Sequence, residues 1–135
     1  MATQQKAVKT TEYDPIAELV RVNPVPSIMI QMETLSIVVV NDAVVKLVGY
    51  SERELLGMPI TELVPPEDVA AVHKASEEIP PEGETLWRCF RKDGALLYLK
   101  LKYRDTIFRG RAARFIVAIA ASPQPFTDRQ HFSRA

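Results

Sequence analysis

Apolar and polar positions alternate most clearly in the last third of the chain. The odd positions from Leu97 to Tyr103 are apolar or aromatic, whereas the even positions from Tyr98 to Arg104 carry Tyr, Lys or Arg. A period of two is typical of strands with one buried face. Asp93-Gly94 is typical of a tight hairpin. The pattern therefore predicts three strands here, over residues 85–92, 96–106 and 112–121.

The first third of the chain predicts one helix followed by two strands. Asp14 can cap the helix, and Pro15 follows at the first helical position, where a missing N–H costs nothing. The apolar stripe of this helix consists of Ile16, Leu19 and Val20. The two strands are predicted over residues 28–32 and 35–40, which are rich in β-branched or alternating apolar side chains.

Short helices with clear start and stop signals fill the middle of the chain. Asn41 can cap a helix that ends at Gly49, where a left-handed residue is favoured. Ser51 and Glu54 match a capping box, in which each side chain bonds the other residue's backbone amide. A longer helix is predicted over residues 66–78, with acidic side chains in its first turn.

This order of elements predicts an α+β fold. We expect a five-stranded antiparallel sheet with short helices packed on one face and an N-terminal flanking helix. The predicted divisions are a flexible lead over 1–13, the flanking helix over 14–23, a single domain over 24–121 and a linker or tail over 122–135.

Charge is balanced in total but not along the chain. The 135 residues carry 17 basic and 17 acidic side chains. Residues 51–84 hold 2 basic and 9 acidic side chains, whereas residues 85–135 hold 11 basic and 3 acidic. We therefore expect a surface polarised between a helical side and a strand side. The neutral total excludes nucleic acid as the main partner, because such binding rests on many cations that neutralise phosphates.

Cysteine use and hydropathy predict a cytoplasmic protein that does not enter the membrane. No apolar run approaches the roughly 20 residues of a membrane helix, and the polar N-terminus lacks the apolar core of a signal peptide. Cys89 is the single cysteine, so an internal disulfide is excluded. We expect it to pack as a small buried or half-buried strand residue.

Several short motifs follow one another in a characteristic order. They are Asn41-Asp42-Ala43, Gly49-Tyr50-Ser51, Glu54-Leu55, Pro66-Glu67-Asp68 and Arg91-Lys92-Asp93-Gly94. Together they resemble the PAS sensory-domain family, in its bacterial signalling (PAS/PAC) type, over about residues 24–121. Two positions depart from the family pattern. Leu35 stands where the first hairpin usually has Gly, and Ala121-Ser122-Pro123 replaces the Asp-x-Thr motif that couples sensing to the next domain.

The resemblance implies a sensory and dimerisation module of a signal-transduction protein. Such a domain binds a small ligand or a partner protein and regulates an effector that is not present in this chain. Most members are not enzymes, and no nucleophile–base pair is visible in this sequence. The resemblance also implies a homodimer, for which the N-terminal helix offers Ile16, Leu19 and Val20.

In this family the helices and the inner face of the sheet enclose a pocket. Strand parity and the expected inner helix faces give nine candidate wall residues. They are Leu47, Ile60, Val72, His73, Trp87, Leu99, Leu101, Phe115 and Val117. Because large apolar side chains dominate this set, a pocket filled by side chains is an alternative. The domain would then be a ligand-free protein–protein interaction module.

The sequence leaves the cofactor unknown. His73 lies on the helix that supplies the axial ligand in resembling haem sensors, so a haem-binding gas or redox sensor is one alternative and a surface histidine is the other. No metal ligand is expected unless haem is bound. Resembling flavin photosensors carry a reactive Cys just after the position of Gly57. Here Pro59 and Ile60 stand in those places, which excludes cysteinyl-flavin photochemistry.

Overall fold

The structure is a computed structural model, and it describes residues 14–78 and 80–127. The predicted lead at 1–13 and the end of the predicted tail at 128–135 lie outside the described residues. The helices are α1 (Pro15–Val22), α2 (Asp42–Val48), α3 (Glu52–Leu55) and α4 (Val69–Glu78), with 3-10 turns at Ile60–Glu62 and Pro66–Asp68. The strands are β1 (Ser27–Gln31), β2 (Ser36–Val40), β3 (Glu82–Phe90), β4 (Leu96–Phe108) and β5 (Arg111–Ser122). Within the described ranges, no helix is long and apolar enough to cross a membrane.

The five strands form one antiparallel sheet in the spatial order β2-β1-β5-β4-β3. The predicted α+β fold with a five-stranded antiparallel sheet is therefore confirmed. The long β4–β5 hairpin supplies the middle of the sheet, and β1 pairs with β5 across a large sequence separation. The helices between β2 and β3 lie against one face, here called the inner face. The opposite, outer face carries α1.

The predicted helix caps form as the sequence indicates. The carboxylate of Asp14 accepts hydrogen bonds from the first-turn amides of α1. Gly49 ends α2 in the left-handed conformation, with φ at 83°. Ser51 and Glu54 make both hydrogen bonds of the capping box at the start of α3. These signals succeed because each satisfies a backbone group that the end of a helix leaves free.

Asn41 uses its whole side-chain amide to tie three segments together. Its Oδ1 accepts from the backbone N–H of Val44, at 3.0 Å, and of Ser27, at 3.1 Å. Its Nδ2 donates to the carbonyl oxygens of Asn23, at 2.8 Å, and of Val25, at 2.7 Å. The residue is buried, so these bonds replace the water that its polar atoms lose on folding. Asn41 thus joins the exit of α1, the start of β1 and the start of α2.

Leu35 adopts a backbone conformation that favours glycine. Its φ is 62°, in the left-handed region that other residues rarely enter. The strain is of order 1 kcal/mol, and burial of the leucine side chain in the inner core offsets it. At this turn, where the family usually has Gly, the chain therefore accepts a strained backbone and gains the packing of a leucine side chain.

Helix α1 packs on the outer face of the sheet. Ala17 and Val20 are fully buried there, against a cluster that includes Met29. Leu19 and Val22 point away and are 68% and 62% exposed. The predicted apolar stripe of this helix is therefore divided. Val20, assigned from the sequence to a dimer interface, is instead used inside its own chain because the sheet covers it.

Ion pairs connect the acidic middle of the chain with its basic last third. They are Arg88–Asp68, Lys92–Glu54 and Arg104–Glu82. The predicted separation of charge is therefore partly neutralised within one molecule. Fewer unpaired charges are therefore available to attract a partner than the charge totals of the two segments indicate.

Candidate functional site

A cavity of about 140 Å³ lies between the inner face of the sheet and the helices. Its wall is mostly apolar. Helix α4 contributes Val72, Ala75 and Ser76, which share one helix face at the spacing i, i+3, i+4. An engineered apolar cavity of about 150 Å³ in another protein stays dry and binds benzene. The cavity of this protein thus has room for one small ring or a short chain.

Six of the nine predicted wall residues line this cavity. They are Leu47, Ile60, Val72, Trp87, Leu99 and Leu101. They come from α2, the first 3-10 turn, α4, β3 and β4. The alternation of apolar and polar residues on β3 and β4 correctly predicted that Trp87, Leu99 and Leu101 face the cavity. That any of the six touches a ligand stays a prediction.

Phe115 and Val117 were assigned to the wrong face of β5. Phe115 packs in the outer cluster beneath α1, and Val117 alternates in the same sense. The cavity instead receives Ile116 and Ala118. The reason is that α1 covers this part of the outer face, so both faces of β5 carry apolar side chains. Hydrophobicity alone cannot choose between two apolar faces.

His73 lies outside the cavity, with an exposed side chain. One residue along a helix is a rotation of about 100°. Because Val72 faces the cavity, His73 is turned toward solvent. The surface interpretation is therefore the one that the structure supports, and His73 is not placed to hold a haem iron.

Sequence reasoning missed several residues of the cavity wall, chiefly on β1, β3 and β5. They include Ile28, Thr85, Cys89, Arg114, Ile116 and Ala118. Residues that pair directly across two antiparallel strands share a face. Tyr103 pairs with Ile116, so the assigned inner face of β4 would have found the even positions of β5. Small members of the set, such as Ala118, leave the space that the cavity occupies.

The Cys89 thiol is buried in the cavity wall, only 5% exposed. Burial raises the pKa of this thiol to about 11, because the thiolate would lose its hydration. The thiol is therefore protonated at neutral pH and poorly nucleophilic. The prediction of a buried strand cysteine is confirmed.

One corner of the cavity is polar. The Arg114 guanidinium bonds the Asp105 carboxylate through Nε, at 2.5 Å, and through Nη2, at 3.1 Å. Its Cζ also lies 4.8 Å from the centre of the Tyr103 ring, a distance typical of a cation–π contact. Both Arg114 and Tyr103 line the cavity. The interior thus offers a fixed positive group beside a mostly apolar wall.

A second ion pair closes the wall at the edge strand β3. The Arg88 guanidinium donates to the Asp68 carboxylate at 2.8 and 2.9 Å, and to Glu67 at 3.3 Å. Hydrogen bonding by Arg88 lowers the pKa of the Asp68 carboxyl below its usual value. These bonds hold the start of α4 against β3. They fix the distance between two walls of the cavity.

The inner cavity by itself is small for a haem or a flavin. Pockets for cofactor-sized ligands occupy roughly 300–1,000 Å³, well above the volume here. Among the described residues, no three His, Cys, Asp or Glu side chains cluster to hold a metal ion. The geometry favours a ligand much smaller than a haem or a flavin.

A family model described as PAS domain matches residues 25–120 of the chain. The match starts just before β1 and ends within β5, so it includes every residue named above as part of the cavity wall. The chain matches no curated protein.

Solved structures share this fold. The PAS domain of an HTR-like protein from Haloarcula marismortui has a TM-score of 0.67 at 18% identity, over 85% of this chain and 95% of that one. A LOV protein from Rhodobacter sphaeroides has a TM-score of 0.66 at 15% identity, over 87% and 68%. A PAS domain from a two-component sensor histidine kinase has 0.60 at 14%, over 85% and 96%. At these identities the similarity establishes the fold.

Proposed function

The chain belongs to the PAS domain family, and on that premise we propose that it is a sensory and dimerisation module of a signal-transduction protein. It binds one small, mainly apolar molecule in the inner cavity and regulates an effector that is not in this chain. It acts through binding and not through catalysis.

The observation that carries this proposal is the cavity itself. Protein interiors are close-packed, and at about 24 cal/mol per Å³ a void of this volume costs about 3 kcal/mol. Filling it would need only a larger side chain at Ala118 or Ala75, both on its wall. A domain that served only as a packed scaffold gains nothing by keeping this space open. A ligand site does.

A groove at the edge of β3 supports a route from the cavity to an effector. Pro125 and Phe126, in the segment after β5, form part of the wall of this groove. Trp87, Arg88 and Leu99 line both the groove and the cavity. A ligand that shifts these side chains therefore changes the surface on which the segment after β5 rests.

The free face of α1 supports self-association. Leu19 and Val22 are exposed there and lie three residues apart, so they share one helix face that a second copy of the chain would cover. We assign the homodimer contact to this exposed face, whereas Ile16 is partly buried and packs against the outer cluster. Val20 takes no part because it is buried against the sheet.

Benzene tests the ligand proposal, because its size matches the cavity. We expect it to raise the Tm and to shift the amide resonances of Val72, Trp87 and Ala118. Ala118→Leu, which fills the space, should abolish both effects, whereas Ala121→Leu, at an exposed position of the same strand, should retain them.

Wild-type protein that ignores benzene would overturn the ligand proposal. If that protein also sediments as a dimer that Leu19→Glu dissociates, the ligand-free interaction module is the correct function.

A further inference from the structure

We infer that the cavity recognises a small apolar carboxylate, whose charged end lies at Arg114. This inference rests on the proposed function and adds the chemical class of the ligand. The Arg114 side chain is 7% exposed although it lies on a mostly apolar wall. Removing a charge from water is costly, so its position calls for a specific use.

The two partners of the ion pair differ in their surroundings. The Asp105 side chain is 35% exposed and does not line the cavity, whereas Arg114 does. The carboxylate is therefore partly solvated, and Arg114 is the partner that forms part of the cavity wall. The side of the pair that a ligand meets is positive. This favours an anionic group over a cationic one.

The guanidinium keeps donors for a ligand. Its bonds to Asp105 use Nε and Nη2, and Nη1 is outside this pair. The planar fork of an arginine suits the geometry of a carboxylate. Asp105 and the Tyr103 ring hold the fork in place, so little side-chain entropy is lost when a ligand binds.

The Tyr103 hydroxyl is directed toward β3, where it lies next to Gly83, and its ring is the part that Arg114 contacts. Burial raises the pKa of its hydroxyl, which keeps the O–H protonated. The hydroxyl has room because the facing strand carries Gly83, where a Cβ would come within 3.1 Å of the Tyr103 oxygen. A guanidinium beside a mostly apolar space of this volume suits a carboxylate on one ring or a short chain.

The alternative is that Arg114 and Asp105 only fix the pairing of β4 with β5, since they stand opposite each other in the sheet. That role needs no contact with the contents of the cavity. Apolar residues often replace buried ion pairs without loss of stability, so a purely structural pair has little reason to face the cavity.

Three probes of similar shape separate these outcomes: benzoate, its neutral analogue benzamide, and benzene. We expect wild-type protein to bind benzoate about tenfold or more tightly than benzamide, because charge-assisted hydrogen bonds are roughly twice as strong as neutral ones. Arg114→Met should remove this preference while benzene binding remains, which also shows that the variant is folded. Arg114→Lys should restore part of it. Arg111→Met, on the same strand but exposed and paired with Glu33, should change nothing.

Each failure has its own signature. Wild-type protein that binds benzene but does not prefer benzoate overturns this inference and leaves the proposed function standing. A benzoate preference that survives Arg114→Met also overturns it. If benzene does not bind, the proposed function fails first.

Discussion

The two faces of the sheet differ in how tightly their side chains are packed. Under α1, the outer face is solid: Ala17, Val20, Met29 and Ala113 are almost completely buried in one cluster. The inner face has a larger cluster, but many of its members are only partly buried, and it encloses the cavity. One sheet thus supports a tightly packed core and an open one.

This contrast separates stability from recognition. A close-packed core is sensitive to a change of a single methylene, so it holds the fold but cannot admit a ligand. The inner face gives up part of that packing. Strand β5 serves both faces at once, with Ala113 in the packed core and Ala118 on the cavity wall.

The largest expected effect comes from removing matched apolar side chains on the two faces. Met29→Ala should lower the free energy of unfolding by about 3 kcal/mol, because its neighbours cannot close the new space. Leu99→Ala should cost only about 1–2 kcal/mol. Leu99 is also buried, at 8% exposed, but as a side chain on the cavity wall it already lacks contacts on one side. Urea unfolding at neutral pH measures both values. Equal losses would show that the inner face is packed as tightly as the outer one.

An intermediate effect is expected from the titration of Cys89. The unfolded thiol ionises near pH 9 and the folded one near pH 11. Between these values the unfolded state binds fewer protons, so stability is fully present below pH 9 and falls as the pH rises. Two pH units correspond to about 2–3 kcal/mol. The difference between wild type and Cys89→Ala, measured from pH 8 to 11, isolates this effect. A thiol that titrates near pH 9 in the folded protein would mean that water fills the cavity.

The smallest expected effect comes from two alanines on one strand. Ala113→Leu should destabilise the protein by about 1–3 kcal/mol, because it overpacks the outer core. Ala118→Leu should stay within about 1 kcal/mol of wild type, because it grows into empty space. Thermal unfolding of the two variants side by side measures the difference. A reversal of this order would contradict the contrast between the faces.

Local signals allowed much of the fold to be predicted from the sequence. Helix caps depend only on residues close in sequence, so they could be predicted. The caps concerned are Asp14, Asn41, Gly49 and the Ser51–Glu54 capping box. Period-two alternation placed the inner residues of β3 and β4 for the same reason. Six of the nine candidate wall residues followed from such rules.

The predictions were wrong where both faces of an element carry apolar side chains, because only long-range packing then decides which face is turned inward. Phe115 and Ile116 are neighbours of opposite parity, and only the packing of α1 decides which of them faces the cavity. The sequence predicts Val20 in a dimer interface, but in the structure the sheet buries this side chain. The inward position of Arg114 depends on Asp105 and Tyr103 across the sheet, which no local sequence signal shows.

Asn41 gives the contrast between the faces a mechanical consequence. Its four hydrogen bonds reach the segment that leaves the outer helix and the helix that begins beside the cavity. Asn41 therefore connects the two layers at one end of the sheet. Movement of either α1 or α2 away from the sheet would break hydrogen bonds of Asn41, so we expect the amides of both helices to exchange with solvent as one cooperative unit.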